Sequence, residues 1–260
     1  MKYVAITFDD GRSDNYDFAK PIMEAHGLCG TVYITTGFID GTWPEKDVLQ
    51  SPTKPLQIEQ ILQLHRAGWE IGLHGDQHQM QVEDTRTAME KLQAWGIENT
   101  HWGISMPNSR AEQTQLQQIL CCDYAERIAY IRRGRMCDTS KLSNKVFFAL
   151  YTYAQSSWAY RRFNLPNVFR LQNADKAFIP SVVVKAKDRP EMILDFINRL
   201  PEGSAVVLML HSILPAGHPL CGKDPWSWED KRFEVLCKGL QERTEQGIYQ
   251  VLSLAELLKG

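Results

Sequence analysis

No run of the sequence reaches the roughly 18 apolar residues that a membrane span needs, so no spanning helix is expected. The acidic pair Asp9–Asp10 lies where the apolar core of a secretion signal would have to be. On that ground the expected location is cytoplasmic, although a secreted chain without its leader would read the same way. Cysteine occurs at six positions, but no Cys-x-x-Cys pair exists and Cys121 and Cys122 are adjacent. That spacing does not suit a zinc knuckle. It leaves buried, reduced thiols as the expectation. A surplus of one charge is missing too. Formal net charge is −2 with acids and bases well mixed, so there is no basic footprint for nucleic acid. No G-x-G-x-x-G turn marks a dinucleotide crevice. Internal repeats, low-complexity segments and Pro/Gly-rich linkers are also absent.

What is present is a soluble, globular composition, with 43% hydrophobic and 23% charged residues. Strand-like and helix-like segments alternate. Tyr3–Phe8, "CGTVYITTGF", "WEIGLH", "THWGIS", "RIAYIR", "AFIPSVVVKA", "SAVVLMLH" and "IYQVLS" read as strands. Tyr16–His26, "LQIEQILQLHRAG", Thr85–Trp95, Ser109–Leu120, Pro190–Leu200, Asp230–Gln246 and "LAELLK" read as helices. Such alternation predicts parallel strands with helical crossovers. "VAITF" and "AVVLML" are apolar on both faces, as covered parallel strands should be. The expected architecture is an α/β fold, a (β/α) barrel of about seven parallel strands in one domain over 1–260. Residues 138–171 break the rhythm and are rich in aromatics. They read as an insertion that packs on the barrel or lines a cleft, with packing favoured.

In parallel α/β proteins the chemistry gathers at the C-terminal ends of the strands. Three predicted strands end in polar residues: Asp9–Asp10, His74 in "HGDQH", and His211. His74 and His78 are four apart, which places both imidazoles on one face of a helical turn. Two such imidazoles and one carboxylate make three ligands for zinc or a similar ion, leaving a fourth position for water. Gly75 follows the first His, so this is not the metalloprotease helix, which needs Glu there. Singly, an H-x-x-x-H is more often a surface pair and an Asp-Asp more often a turn or helix cap. Three polar strand ends together favour a site.

"TFDDG" at Thr7–Gly11, "AGWEIGLHGDQH" and "LMLH" resemble, in order and spacing over most of the chain, the NodB-like polysaccharide deacetylases, carbohydrate esterase family four. The resemblance implies a distorted barrel of seven or eight strands. It implies a metal-dependent hydrolase that removes an acetyl group from an N-acetylated carbohydrate. Asp10, His74 and His78 then correspond to the metal ligands, Asp9 to the general base and His211 to the general acid. The implied ion is zinc, with cobalt or nickel as alternatives. Three departures stand out. Gly75 replaces a Ser or Thr, which removes a hydrogen bond that steadies the loop. Ser105 stands where the family has an Arg beside the catalytic Asp, and Arg133 or Arg135 is expected to substitute. Asn108 replaces an aromatic residue but keeps a backbone N–H for an oxyanion. The Asp that orients the catalytic His is not legible, and Asp188 is the best placed, with a helix cap as the alternative. Trp226 and Trp228, in the long loop after His211, are candidate walls of a substrate pocket. Other readings stay open: an N-acyl or N-formyl hydrolase acting on a small or carrier-linked sugar in the cytoplasm, and a catalytically weak sugar-binding barrel. Oligomeric state is not legible.

Overall fold

The computed structural model describes residues 1–43, 54–109, 113–134, 142–143, 146–147, 149–150 and 156–259. Seven parallel strands close a barrel: β1 (Lys2–Phe8), β2 (Thr31–Ile34), β3 (Glu70–Leu73), β4 (Trp102–Ser105), β5 (Ile128–Gly134), then β7 (Ile179–Val183) and β8 (Ser204–Leu210). Closure comes from the β1–β8 ladder, which runs from Tyr3 opposite Ala205 to Phe8 opposite Leu210. Short β6 (Phe169–Arg170) adds antiparallel to β8, and β11 (Tyr249–Val251) adds parallel to β1. Two further strands, β9 (Ser212–Leu214) and β10 (Ser227–Glu229), form a separate parallel pair. Around the barrel lie α1 (Lys20–Ala25), α2 (Thr36–Asp40), α3 (Ile58–Arg66), α4 (Val82–Ala94), α5 (Gln113–Leu120), α6 (Ser157–Asn164), α7 (Pro190–Asn198), α8 (Asp230–Glu245) and α9 (Leu254–Lys259).

Period-two alternation sorts each strand into two faces. Val4, Ile6 and Phe8, Ile71 and Leu73, Trp102 and Ile104, and Val206, Leu208 and Leu210 join the core between barrel and helices. The other face of the strands fills the barrel. There Ala5, Tyr33, Tyr130, Ile179, Ala205 and Val207 pack with Leu254 and Leu257 of α9, which plugs the N-terminal end. The two tyrosines share a hydrogen bond of 2.8 Å between hydroxyls, and Tyr130 donates to Glu70 at 2.5 Å. Glu70 also accepts from the Thr31 hydroxyl and the Ala255 amide, both at 2.8 Å. Burial pushes both phenols well above their usual range, so they stay protonated donors. The rings fit because Gly72 and Gly103 face them, and a Cβ at Gly103 would collide with Tyr130.

The segment "TTGF", expected to extend β2, does not. The ladder ends at Ile34, and Thr36 and Gly37 turn to donate their amides to Gly75 and Asp76 carbonyls at 3.2 and 2.9 Å. A helix, α2, results. The insertion contributes α6, capped by the Ser156 hydroxyl, which accepts from the Ala159 amide at 3.2 Å. Tyr160 of α6 meets Phe196 of α7 edge-on with ring centroids 5.6 Å apart.

Candidate active site

Asp9, the first residue beyond β1, keeps the strand's inward parity with Ala5 and Thr7. Its amide still donates to Leu210 at 3.1 Å, which brings it beside the end of β8. Asp10 breaks out of the strand with φ +79°, and His78 adopts φ +55°. Aspartate tolerates this left-handed region better than most residues, and such local cost concentrates at working sites. The turn throws the Asp10 carboxyl toward the β3 loop. Oδ1 of Asp10 lies 3.4 Å from Nε2 of His74 and 3.7 Å from Nε2 of His78, and the two Nε2 atoms are 3.2 Å apart. A tetrahedral ion with bonds of about 2.0–2.1 Å holds its ligand atoms about 3.3 Å apart. The three atoms therefore fit one small divalent cation, and they form a group with metal-ligand spacing. Nδ1 of His74 pairs with the Ser105 carbonyl at 2.9 Å. A carbonyl only accepts, so Nδ1 carries the proton and Nε2 presents its lone pair. Burial, with His74 beside it, takes His78 down to about 4, so it is neutral and ready to coordinate at neutral pH.

Asp9 is 3% exposed. Its cationic partner is Arg132, itself 1% exposed, whose Nη2 lies 2.5 Å from each carboxyl oxygen and also donates to Ser105 Oγ. Nη1 of Arg132 donates to Ser181 Oγ at 3.0 Å, and the guanidinium lies over the Tyr33 ring at 5.0 Å. Burial alone would raise the Asp9 carboxyl, but Arg132 outweighs it and holds the group below its ordinary value. The expectation that Arg133 or Arg135 fills this role is corrected. Arg133 has the opposite parity, is exposed, and lies over Phe178 at 5.6 Å. Arg135 lies outside the described residues. Alternation in "YIRRG" was the available signal: Tyr130 and Arg132 share the barrel face, whereas Ile131 and Arg133 do not. In the sheet, Ser105 stands directly opposite Arg132. A small residue on β4 thus makes room for a long one from β5.

The loop after His74 also has its support, from a residue not singled out in the sequence. Asp84, in the first turn of α4, accepts from the amides of Gln77 at 2.6 Å, Asp76 at 3.1 Å and Gln79 at 3.2 Å. Gly75 has φ +79°, and a Cβ there would collide with this carboxylate. Gly75 is therefore not a loss of support. The steadying hydrogen bonds come from α4, and the glycine clears their path. Asp76 in turn accepts from Thr36 Oγ at 2.6 Å and Lys91 Nζ at 2.7 Å.

His211 follows β8 with Trp226 packed against its ring at 5.0 Å. Its strand is clamped by the residues right after "TFDDG". Asn15 Nδ2 donates to the His211 carbonyl at 2.7 Å, and Asp14 Oδ1 accepts from the Ile213 amide at 2.9 Å. Arg12, 2% exposed, donates to Ser212 Oγ at 2.8 Å and to Oδ2 of Asp10 at 2.7 and 3.0 Å. Burial favours the neutral Asp10 carboxyl, yet the charge of Arg12 outweighs it and holds the group well below the carboxylate range. Arg12 also occupies Oδ2 and leaves Oδ1 facing the imidazoles. The "RSDN" clamp was missed because nothing local in those residues points to a strand 200 positions away.

The remaining candidates divide. Asn108 is at the end of β4 in a left-handed turn with φ +54°, exposed beside the site. Asp188 does not reach His211, whose Nδ1 is buried without a hydrogen-bond partner. Its Oδ2 accepts from the Lys185 amide at 2.9 Å and its carbonyl from Trp228 Nε1 at 2.9 Å, which fits a turn cap. Trp228 is 2% exposed and packs edge-on against Phe233, so it belongs to the core and not to a pocket wall. Trp43, not anticipated, lies against His78 with centroids 5.3 Å apart. Trp43 and Trp226 thus flank the site on its two histidine sides.

Residues 1–120 match the family model described as polysaccharide deacetylase. The chain is polysaccharide deacetylase-like over this span. The match contains "TFDDG", both loop histidines and Ser105, and stops before Arg132 and His211. Among solved structures, a CE4 family pseudoenzyme from Bacillus anthracis is 13% identical, with a TM-score of 0.52 over 99% of this chain and 66% of that one. A mutant of the same pseudoenzyme with restored enzymatic activity is 15% identical, with a TM-score of 0.52 over 98% of this chain and 67% of that one. A family 4 acetyl xylan esterase from Clostridium thermocellum, in complex with a cobalt ion, is 14% identical, with a TM-score of 0.50 over 99% and 90%. At such identities the likeness is one of fold. No curated protein matches the chain.

Proposed function

We propose that this deacetylase-like chain is a metal-dependent hydrolase that removes an N-acetyl group from an amino-sugar-containing carbohydrate. The observation that carries the reading is the triangle of Asp10 Oδ1, His74 Nε2 and His78 Nε2, sized for one divalent ion, with a separate ionised carboxylate beside it. Asp9 Oδ2 is 4.0 Å from His74 Nε2. A bound zinc, or cobalt as in the esterase of like fold, would lower the pKa of a water toward about 7 and polarise the amide carbonyl. Asp9, kept ionised by Arg132, takes the proton of the attacking water. His211, at the end of β8 next to Asp9, gives a proton to the leaving amine, which is a poor leaving group without one. Burial holds His211 below its ordinary value against the pull of Asp10. It donates readily, provided it is charged first. The Asn108 amide, in the turn after β4, is the candidate donor to the developing oxyanion. Arg132 supplies the cation that Ser105 lacks, which removes one of the two grounds for a weak, sugar-binding barrel; the other, the missing carboxylate partner of His211, stands.

The test is acetate release from N-acetylglucosamine oligomers by the zinc-loaded protein. Activity should vanish with chelator and in Asp10→Ala. Asp9→Asn and His211→Ala should each fall about 10²–10⁴-fold. Undiminished release by Asp10→Ala, or none across a broad panel of N-acetylated carbohydrates, would reject the reading.

A further inference from the structure

Between Thr139 and Ala174 the sequence holds no Asp or Glu, five basic residues (Lys141, Lys145, Arg161, Arg162, Arg170) and eight aromatics. In a chain with 31 acids and a net charge of −2, the acid excess lies wholly outside this segment. The structure turns the bias into a surface. Nine large apolar side chains are exposed among the described residues, and five of them fall between positions 142 and 165. Trp158 is 58% and Leu165 56% exposed, at the two ends of α6. Phe147 lies against Trp158 and Phe163 with centroids 5.4 and 4.5 Å apart, so the aromatics form one patch. A groove of about 250 Å³ opens between α6 and α7, lined by Trp158, Leu165, Phe196 and the guanidinium-bearing Arg161, Arg162 and Arg199. The nearby acid Asp195 is neutralised by Arg199 at 2.8 Å.

We infer that this face docks on an anionic lipid bilayer. A protein surface that combines exposed Trp and Leu with basic residues, and a groove with no acid among its lining residues, matches the boundary between charged headgroups and acyl chains. The indole and leucine enter the boundary, and Arg162 stays level with lipid phosphates. No described helix is long and apolar enough to cross a membrane. The face is on the outside of the barrel, away from Asp10 and the histidines, and the inference stands apart from the proposed chemistry.

Flotation of the full chain with vesicles decides it. With phosphatidylcholine vesicles containing phosphatidylglycerol, the protein should float. With phosphatidylcholine alone, or at high sodium chloride, binding should fall at least about tenfold. Arg162→Glu and Trp158→Ser alter exposed positions, so the melting curve and the turnover of soluble substrate should not change. Each variant should lose vesicle binding several-fold, and the pair should lose it altogether. Leu165→Ser replaces Trp158→Ser if the latter fails to fold. Absence of flotation, or equal flotation by the double variant, overturns the inference. So does a concentration-dependent dimer that Trp158→Ser dissolves while vesicles leave the protein unbound, which would assign the face to a second copy.

Discussion

Arg132 brings a positive charge into a barrel interior that also holds the carboxylates of Asp9 and Glu70 among tyrosines and aliphatics. Its presence there is sustained by Asp9, Ser105, Ser181 and the Tyr33 face. Breaking a buried ion pair from one side is far more costly than removing both charges. Arg132→Met is therefore expected to lower stability by about 3–5 kcal/mol in urea unfolding at neutral pH. The double variant Asp9→Asn/Arg132→Met should recover most of that loss. No recovery would mean that Arg132 stabilises the fold by packing and not through its charge. At the same scale, Arg12 shows why two adjacent carboxylates behave differently. Asp9 belongs to Arg132 inside the barrel, and Asp10 is turned by a left-handed residue toward Arg12 and the imidazoles.

At the scale of elements, the β3–α4 loop is held by carboxylates from its neighbours. Asp84 gathers three amides of that loop, so Asp84→Ala should loosen both histidines. Zinc affinity, read by competition with a chromophoric chelator, should fall about 10–100-fold, the range seen when outer partners of metal ligands are removed. Unchanged affinity would show that His74 and His78 are positioned by their strands alone. The α2–α4 contact gives a pH-dependent counterpart. Lys91 joins Asp40 at 2.6 Å and Asp76 at 2.7 Å. Burial acts to raise Asp40, but the Lys91 and Thr42 hydrogen bonds prevail and hold it below 3.8. A depressed carboxylate contributes stability above its unfolded pKa and loses it as pH falls through the folded value. Lys91→Met should thus cost about 0.5–1 kcal/mol at pH 7, a modest amount because the pair is partly solvated. The difference from the parent protein should close as unfolding is repeated below pH 4. A gap that persists there would mean that packing of the Lys91 stem is responsible.

At the scale of the whole molecule, a seven-stranded closure leaves an interior just wide enough for two phenol rings at one end and the polar site at the other. Gly103 faces Tyr130 with no room for a methyl group. Gly103→Ala is expected to lower stability by about 1–3 kcal/mol through overpacking, and Tyr130→Leu in the same chain should restore part of it. Thermal unfolding of the three proteins checks this. A neutral Gly103→Ala would show that the barrel can widen. No Asp or Glu falls between Thr139 and Ala174, a bias visible only when charge is mapped along the chain.

The sequence by itself determined the strands, their direction and the residues at their ends, because hydrophobic period and turn residues are local. The polar strand ends Asp9, His74 and His211 were visible for that reason, whereas His78 was read from a helical spacing that the loop 74–78, with Gly75 and His78 at positive φ, does not adopt. It did not determine who partners whom. The Ser105–Arg132 register follows from barrel closure, which makes β4 and β5 neighbours and lets a guanidinium arrive from the next strand. The Asp84 cap depends on where α4 begins relative to the loop, and the Arg12–Asp14–Asn15 clamp depends on β1 lying beside β8. Each is a contact between segments distant in sequence or set by a helix entry, and a linear pattern carries no signal for either. Asp188 and Trp228 misled for the same reason. Their types suited the site, but the turn at Lys185 and the packing of Phe233 claimed them first.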